Sequence, residues 1–238
     1  MCIRDRIKAI AAVNPRTVLV VNSCCPVALN WEKENLPAIL CSLNAGQEQG
    51  NAIADVLFGD YNPAGKLSST WLRDVAQLPN FHDYDIKHGR TYMYFKGDPL
   101  YPFGYGLSYT TFGYENLRVK GDRLESGKTI TVTADISNTG HLAGVETVQF
   151  YVQANGEQQR PIKQLAGFQR VSLQAGEKQT VSFSLAHDHI ALRYWDDSAG
   201  QFAYEAGTLQ LMVGSSSASI HLSLSLIHIS EPTRQAEI

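Results

Sequence analysis

Two short segments carry residue types that could bind a phosphate or a metal. Residues 46–50 (GQEQG) resemble a phosphate loop, but they lack the Lys-Ser/Thr pair of a P-loop and the third glycine of a dinucleotide fingerprint. They instead predict a helix start, where the helix dipole favours Glu48. His187 and His189 are two potential metal ligands without a third or fourth nearby, and zinc sites use at least three. We therefore predict no phosphate site, no metal and no cofactor.

A third segment is rich in aromatic residues and glycine. It comprises residues 84–95 (YDIKHGRTYMYF) and 99–109 (PLYPFGYGLSY). Long connections of this kind are usually binding loops or packing between domains, and both interpretations are open here. The tryptophans Trp31, Trp71 and Trp195 are core candidates, although a tryptophan exposed in a cleft could stack on a sugar.

Composition excludes several classes of protein. The chain has 238 residues, a formal net charge of -3 and 44% hydrophobic residues, which is ordinary for a globular chain. The absence of a basic block argues against a nucleic-acid partner, and no apolar run approaches the ~20 residues of a membrane span. Four cysteines are too few for a disulfide scaffold. The adjacent Cys24 and Cys25 are expected to be buried small hydrophobic residues.

The elements that must position these segments fall into two halves. In residues 7–112 an apolar β-branched run at 17–22 predicts a strand buried on both faces of a parallel sheet. Short apolar runs at 26–31 and 37–43 predict two further strands, and residues 47–58 predict a helix that ends at Gly59. The pattern indicates an α/β fold.

In residues 113–223 the apolar period becomes two. About seven short alternating strands, separated by turn signals such as Asn155-Gly156, are typical of an all-β sandwich. Because a cysteine pair between sheets is missing, a fibronectin type III-like sandwich is preferred over an immunoglobulin domain.

The two ends of the chain have a different origin in this interpretation. A single short DNA sequence can encode residues 1–5 (MCIRD), and its reverse complement can encode residues 224–229 (LSLIHI). Both resemble the translated transposon end used in sequencing-library preparation, and residues 230–234 resemble the adapter that follows it. We therefore expect residues 1–6 and 224–238 to be adapter artefacts without packed contacts, and exclude them from fold reasoning. The gene would then be cut at both sides, so localisation is unknown, with a periplasmic or secreted protein compatible.

Several long motifs in order resemble glycoside hydrolase family 3, the family of β-glucosidases and β-xylosidases. They are GNAIADVLFGDYNPAGKL at 50–67, GRTYMYF at 89–95, PFGYGLSYTTF at 102–112, RPIKQLAGFQRV at 160–171 and VGSSS at 213–217. The resemblance implies that residues 7–112 are the C-terminal portion of the family's α/β sandwich domain, a partial three-layer remnant. Residues 113–223 would be its fibronectin type III-like domain.

The chain departs from the family pattern in two places. It has Leu43-Asn44-Ala45-Gly46 where an aromatic-Pro-Gly is usual, and Ser23-Cys24 where many members have Ser-Gly. If that glycine had a positive φ, Cys24 would be strained.

The resemblance also implies a retaining mechanism. An Asp nucleophile forms a glycosyl-enzyme, and a second carboxyl group donates and then accepts the proton. Both carboxyl groups would lie upstream, the Asp on an N-terminal barrel domain missing here, so no catalytic residue is assigned among Glu48, Asp55, Asp83 and Asp85. The full-length enzyme would act on an oligosaccharide or aryl glycoside in plant polysaccharide breakdown, and this chain alone would be inactive.

The stretch from Arg90 to Tyr92 is the best candidate for substrate contact, and Arg90 and Tyr92 are its nominated residues. The competing hypothesis is a non-catalytic, fibronectin-like carbohydrate-binding or adhesion module. That hypothesis predicts an aromatic platform on the sandwich, and the matched α/β motifs count against it. Sugar, linkage and oligomeric state cannot be read from the sequence.

Overall fold

The computed structural model describes residues 3–121 and 123–228, with the backbone alone for residues 227 and 228. The chain divides into two compact units. The first contains residues up to Tyr61 together with Thr70–Leu78 and Gly97–Tyr101. The second contains Asn62–Ser69, Pro79–Lys96 and the residues from Pro102 onward. No helix of the described residues has the length and apolar character needed to cross a membrane.

The first unit is a small α/β structure. Its elements in chain order are α1 (Ile3–Val13), β1 (Val18–Asn22), α2 (Asn30–Asn35), β2 (Ala38–Ser42) and α3 (Gln49–Phe58). Strands β1 and β2 pair in parallel, with Val18 opposite Ala38. The parallel pairing and helix α3 confirm the sequence prediction. Gly59 ends α3 with φ 87°, the left-handed conformation that glycine adopts without strain.

Three sequence expectations for this unit are wrong. Strand β1 is not buried on both faces, because Val18 and Val20 are exposed in a sheet that has two strands within the described residues. The run at 26–31 is not a strand, and its end instead begins helix α2, which is rich in polar helix formers. Cys24 and Cys25 are exposed, and the Sγ of Cys24 accepts a hydrogen bond from Asn44.

Cys24 is nevertheless unstrained. Among the described residues other than glycine, positive φ occurs at Thr91 and Asn116.

The second unit is a β-sandwich, as the alternating pattern predicts. Three strands form one sheet in the order β3-β5-β8, and five form the other in the order β4-β12-β11-β6-β7. Two further strands, β9 and β10, form a separate hairpin. The bounds are β3 (Phe112–Lys120), β4 (Arg123–Leu124), β5 (Thr129–Asn138), β6 (Gly144–Asn155), β7 (Gln164–Leu173), β8 (Lys178–Ala186), β9 (Tyr194–Asp196), β10 (Gln201–Ala203), β11 (Gly207–Gly214) and β12 (Ile220–His228).

The inward side chains of these strands form the sandwich core. Strand β5 contributes Ile130, Val132, Ala134 and Ile136, all buried, and the other long strands contribute their alternate apolar residues in the same way. Because a side chain in a strand points to the opposite face from its neighbours, period-two alternation identifies the core residues directly.

Three segments that precede β3 belong to the second unit rather than the first. Residues Asn62–Ser69, Pro79–Lys96 and those from Pro102 to the start of β3 are grouped with the sandwich. The Nδ2 of Asn62, for example, donates to the carbonyl oxygen of Ala143 at 2.9 Å. The compact units therefore do not divide at residue 112, and the domain boundary at 112/113 stays a prediction.

The two ends of the chain differ in how far their side chains are buried. Helix α1 includes residues 3–6 and buries no side chain, although the guanidinium of Arg4 donates to the carbonyl oxygen of Ala28 at 3.0 Å. Strand β12 continues to residue 228, and Leu226 is buried in the sandwich core. The expectation that the segment from residue 224 makes no packed contacts is therefore wrong at Leu226, because the alternating pattern continues the strand and turns this side chain into the core. Residues 1, 2 and 229–238 lie outside the described residues.

Candidate functional site

The loop Pro79–Lys96 is shaped by its own polar side chains. The side-chain oxygens of Asn80, Asp83 and Asp85 each accept a hydrogen bond from the backbone N–H two residues further on, at 2.9–3.0 Å. Asn and Asp commonly close turns in this way, because their short side chains mimic a backbone acceptor. The third of these bonds begins a short 3₁₀ turn over Ile86–His88.

Arg90 links the second half of this loop to the first half by two hydrogen bonds. Its Nε donates to the carbonyl oxygen of Asp83 at 2.8 Å, and its Nη2 donates to the carbonyl oxygen of Asn80 at 3.0 Å. A planar guanidinium directs several donors at fixed angles, so one side chain can satisfy two carbonyl groups at once. Arg90 therefore fixes the conformation of the loop between Asn80 and itself.

A histidine–aspartate pair adds an electrostatic contact. The Nδ1 of His88 lies 2.7 Å from Oδ2 of Asp83, and its Nε2 lies 3.9 Å from Oδ2 of Asp85. The hydrogen bond to Asp83 and the negative charges of both carboxylates raise the pKa of His88. The same hydrogen bond lowers the pKa of Asp83, with smaller contributions from the Asp85 N–H and from the charges of His88 and Arg90.

Thr91 has a backbone conformation that is unfavourable for its residue type. Its φ is 58°, in the left-handed region that β-branched residues rarely occupy. Its hydroxyl accepts a hydrogen bond from the N–H of Met93 at 3.2 Å. The chain therefore changes direction sharply between Arg90 and Tyr92, at a residue held in place by its surroundings.

Tyr92 anchors the loop to the sandwich. Its ring stacks on Phe103 at 4.3 Å and meets Tyr151 edge-on at 6.0 Å. Its hydroxyl oxygen accepts a hydrogen bond from the N–H of Leu165 at 2.9 Å. Burial raises the pKa of Tyr92, and the bond from Leu165 partly opposes this.

The loop presents two other aromatic rings to solvent. Phe81 and Tyr84 are each 80% exposed, and the ring of Phe81 meets His82 edge-on at 5.6 Å. Sequence reasoning singled out Arg90 and Tyr92 but did not nominate Phe81 or Tyr84. Their exposure depends on the turns that Asn80 and Asp83 make, and those turn residues are the signal that could have located them.

The structure brings Arg90 and Tyr92 together at the C-terminal end of this loop. Arg90 contacts carbonyl groups of the loop, whereas Tyr92 contacts the sandwich. Both therefore have structural contacts within the chain, and their role towards a substrate stays a prediction.

The carboxylates that were left out of the catalytic assignment, and the histidine pair that was not assigned a metal, lie apart from this loop or within its turns. Glu48 and Asp55 lie at helix α3 in the first unit, and Asp83 and Asp85 close turns. The Nδ1 of His189 accepts from the N–H of Ala191 at 3.2 Å. Within residues 3–121 and 123–228, no cluster of three or more His, Cys, Asp or Glu side chains could hold a metal.

Comparison with known families identifies both parts of the chain. Residues 3–109 match the glycosyl hydrolase family 3 C-terminal domain, and residues 146–217 match the fibronectin type III-like domain. The two matches together cover about three quarters of the chain.

Curated relatives match most of this chain. The chain is 40% identical to a xylan 1,4-beta-xylosidase of Xylanibacter ruminicola over 214 residues, which are 90% of this chain and 24% of the relative. It is 39% identical to a periplasmic beta-glucosidase of Salmonella typhimurium over 230 residues, 91% of this chain and 30% of the relative. The chain therefore spans about a quarter to a third of these proteins.

Solved structures agree with the sequence matches. The beta-D-glucoside glucohydrolase of Trichoderma reesei matches 94% of this chain with a TM-score of 0.84 and 30% identity, over 35% of its own length. Beta-glucosidase 3B of Thermotoga neapolitana, solved with glucose, matches 94% of this chain with a TM-score of 0.84 and 32% identity, over 33% of its own length. The chain belongs to glycoside hydrolase family 3, with that family's C-terminal domain followed by its fibronectin type III-like domain.

Proposed function

We propose that this chain is the C-terminal part of a retaining β-glycoside hydrolase that acts on β-linked glucosides or xylosides. The observation that carries the proposal is the match of about nine-tenths of the chain to both a xylosidase and a beta-glucosidase, at 39–40% identity. Plant polysaccharide fragments and aryl glycosides are the substrate class that follows from those two activities.

The catalytic carboxyl groups belong, in this proposal, to the upstream part of the full-length enzyme. A retaining glycosidase needs a nucleophile and an acid/base roughly 5–5.5 Å apart across one sugar. The carboxylates of Asp83 and Asp85 support turns in the loop, and Glu48 accepts a hydrogen bond from Asn51 on α3. These structural uses support leaving all three out of the catalytic assignment.

The loop Pro79–Lys96 supplies the contribution of this chain to substrate binding. Arg90 acts as a positioning residue, because its two hydrogen bonds fix the backbone that carries Tyr84. Tyr92 fixes the other end of the loop on the sandwich. The exposed ring of Tyr84 is then the surface available to a sugar or an aryl leaving group.

A chimera tests this proposal. The matching segment of the Salmonella enzyme is replaced by residues 7–223 of this chain, and hydrolysis of aryl β-glucoside and aryl β-xyloside is measured. The chimera is expected to hydrolyse at least one of them, whereas the isolated chain is expected to hydrolyse neither. A folded chimera inactive on both, or an isolated chain whose activity disappears in E48Q or D85N, contradicts the proposal.

Loop variants in the same chimera test the positioning role. R90A is expected to raise KM and lower kcat/KM at least about tenfold, because the loop loses both carbonyl contacts, while R90K retains only part of the activity. Lys87→Ala, on the same loop, is the matched control and is expected to be neutral. Unchanged kinetics in R90A would assign the loop a purely structural role.

A further inference from the structure

The hairpin formed by β9 and β10 carries two aromatic side chains on one face. Trp195 lies directly opposite Phe202 in the antiparallel register, so their side chains share a face. Their ring centroids are 5.3 Å apart, with the ring planes at 81°. The turn is closed by Asp196, whose Oδ1 accepts from the N–H of Ser198 at 2.9 Å.

The opposite face of this hairpin packs against Arg160 of the same unit. The neighbouring Tyr194 points away from Trp195, as alternation in a strand requires, and its ring lies 4.7 Å from the guanidinium of Arg160. Arg160 is nearly fully buried, and it donates to the carbonyl oxygen of Leu192 at 3.0 Å and pairs with Glu205 at 3.4 Å. These contacts fix which face of the hairpin is turned outward.

The outward face is an apolar surface with a polar rim. Trp195 is 48% exposed and Phe202 is 57% exposed. The guanidinium of Arg193 lies 5.8 Å from the Phe202 ring, and Asp197 is exposed in the turn of the same hairpin. Aromatic rings beside charged groups match a sugar, which has an apolar C–H face and a rim of hydroxyl groups.

The size of the surface separates a glycan from a protein partner. An aromatic side chain covers about 150–250 Å², so two half-exposed rings offer on the order of 200 Å². A stable protein interface buries about 800 Å² on each partner. Two rings at nearly a right angle contact one or two sugar rings from two sides, which is sufficient for a short stretch of a chain.

We propose that Trp195 and Phe202 form a surface site that binds a β-linked glycan chain, xylan or β-glucan. The site goes beyond the proposed function, because it requires no catalytic residue and binds polymer independently of hydrolysis. Trp195 is the main contact, Phe202 supports its ring edge-on, and Arg193, beside Phe202, supplies hydrogen bonds to hydroxyl groups.

Affinity electrophoresis of the 238-residue chain tests the site. Native gels containing soluble xylan or mixed-linkage β-glucan are compared with a polysaccharide-free gel. We expect at least one polysaccharide to retard the chain, and W195A to weaken binding at least tenfold, or about 1.4 kcal/mol. W195Y retains a ring and is expected to be intermediate. Phe168→Ala, an exposed aromatic residue on β7, is the matched control and is expected to bind normally.

Three results would overturn the proposal. They are the absence of retardation in every gel, equal retardation of the parent chain and W195A, and a concentration-dependent dimer that W195A abolishes. The last result would assign the two rings to a contact between copies of the chain. Thermal melting of W195A and W195Y confirms that any loss of binding occurs in folded protein, and the binding readout is unaffected by whether the full-length enzyme is a glycosidase.

Discussion

The amide side chain of Gln149 fills the space that a β-carbon on residue 104 would need. A β-carbon built on Gly104 lies 2.0 Å from Oε1 of Gln149, far inside van der Waals contact. The amide cannot simply move away, because its Nε2 donates to the carbonyl oxygens of Gly104 and Ser215, at 3.0 and 2.6 Å. Tyr151 also donates its hydroxyl to Oε1. The motif at 102–112 is thereby fixed to strand β6.

Gly104→Ala should therefore destabilise the sandwich unit. The residue has φ 79°, which costs an ordinary residue about 1–2 kcal/mol, and overpacking a filled site costs about 1–3 kcal/mol more. We expect a loss of about 2–5 kcal/mol in the free energy of unfolding, measured by chemical denaturation.

Gly65→Ala is the matched control for this substitution. A β-carbon at residue 65 meets no atom within 4 Å, and its φ is outside the left-handed region. Its free energy of unfolding should change by less than about 0.5 kcal/mol. Equal effects of the two substitutions would show that the Gln149 contact is not the cause.

Tyr114→Phe should also destabilise the sandwich unit, because it removes a donor from a buried carboxylate. The hydroxyl of Tyr114 donates to Oε1 of Glu146 at 2.9 Å, and Lys66 Nζ lies 3.5 Å from the same oxygen. Burial, and then the charge of Glu146, raise the pKa of Tyr114. Hydrogen bonds to charged groups contribute about 1.5–3 kcal/mol, which is the expected loss in unfolding free energy. Tyr84→Phe, on an exposed ring, should be neutral, and similar losses in both variants would refute this explanation.

The contact between His88 and Asp83 should stabilise the fold only over a limited pH range, with a lower and an upper limit. The pKa of His88 is raised above 6.5. Its contribution to the free energy of unfolding is therefore complete below pH 6.5 and is lost as pH rises through the raised pKa. The pKa of Asp83 is lowered below 3.8, so its contribution is complete above that value and is lost as pH falls through the lowered value. Both contributions are therefore complete between pH 3.8 and 6.5.

NMR titration of the His88 ring measures this effect. D83N should return the pKa of His88 towards its ordinary value. D85N should have a smaller effect, because its oxygen lies 3.9 Å away rather than 2.7 Å. A pKa of His88 that is insensitive to D83N would exclude the contact in solution.

The thermal stability of two truncated chains tests the domain boundary predicted from sequence against the division into compact units. The sequence boundary predicts that residues 113–223 fold alone. That piece lacks Tyr92, whose ring contacts Tyr151, and Phe103, which stacks on Tyr92, and it also lacks Leu226 of the core. We expect residues 79–228 to melt at least about 10 °C higher, since each kcal/mol is worth about 4–8 °C in a domain of this size. Equal melting temperatures by circular dichroism would support the boundary at residue 112.

Local periodicity explains why the sandwich was predictable. The buried residues of β5, such as Ile130 and Ile136, alternate with polar residues, and the alternation alone identifies their face. The first unit was harder, because short apolar runs such as 26–31 do not distinguish a strand from the approach to a helix. Val18 is exposed because burial depends on what lies beside the strand, which its own residues do not specify.

The candidate site could be located but not understood from sequence. The unusual composition around Arg90 and Tyr92 was visible, yet the hydrogen bonds of these two side chains are with backbone groups of Asp83, Asn80 and Leu165. Any residue type provides such groups, so no pattern of side chains reveals them. Trp195 differs, because exposure alone separates it from the buried Trp71.

Strand β12 has a consequence for how gene boundaries are inferred from folded proteins. Its apolar residues Leu222, Leu224 and Leu226 alternate with serines across residue 223, and the strand pairs with β11 on both sides of that point. A sheet selects for the order of polar and apolar residues, and it does not distinguish inherited from accidental sequence. The regular pairing of β12 therefore carries no information on the origin of the residues after 223, because any sequence that continues the alternation extends the strand.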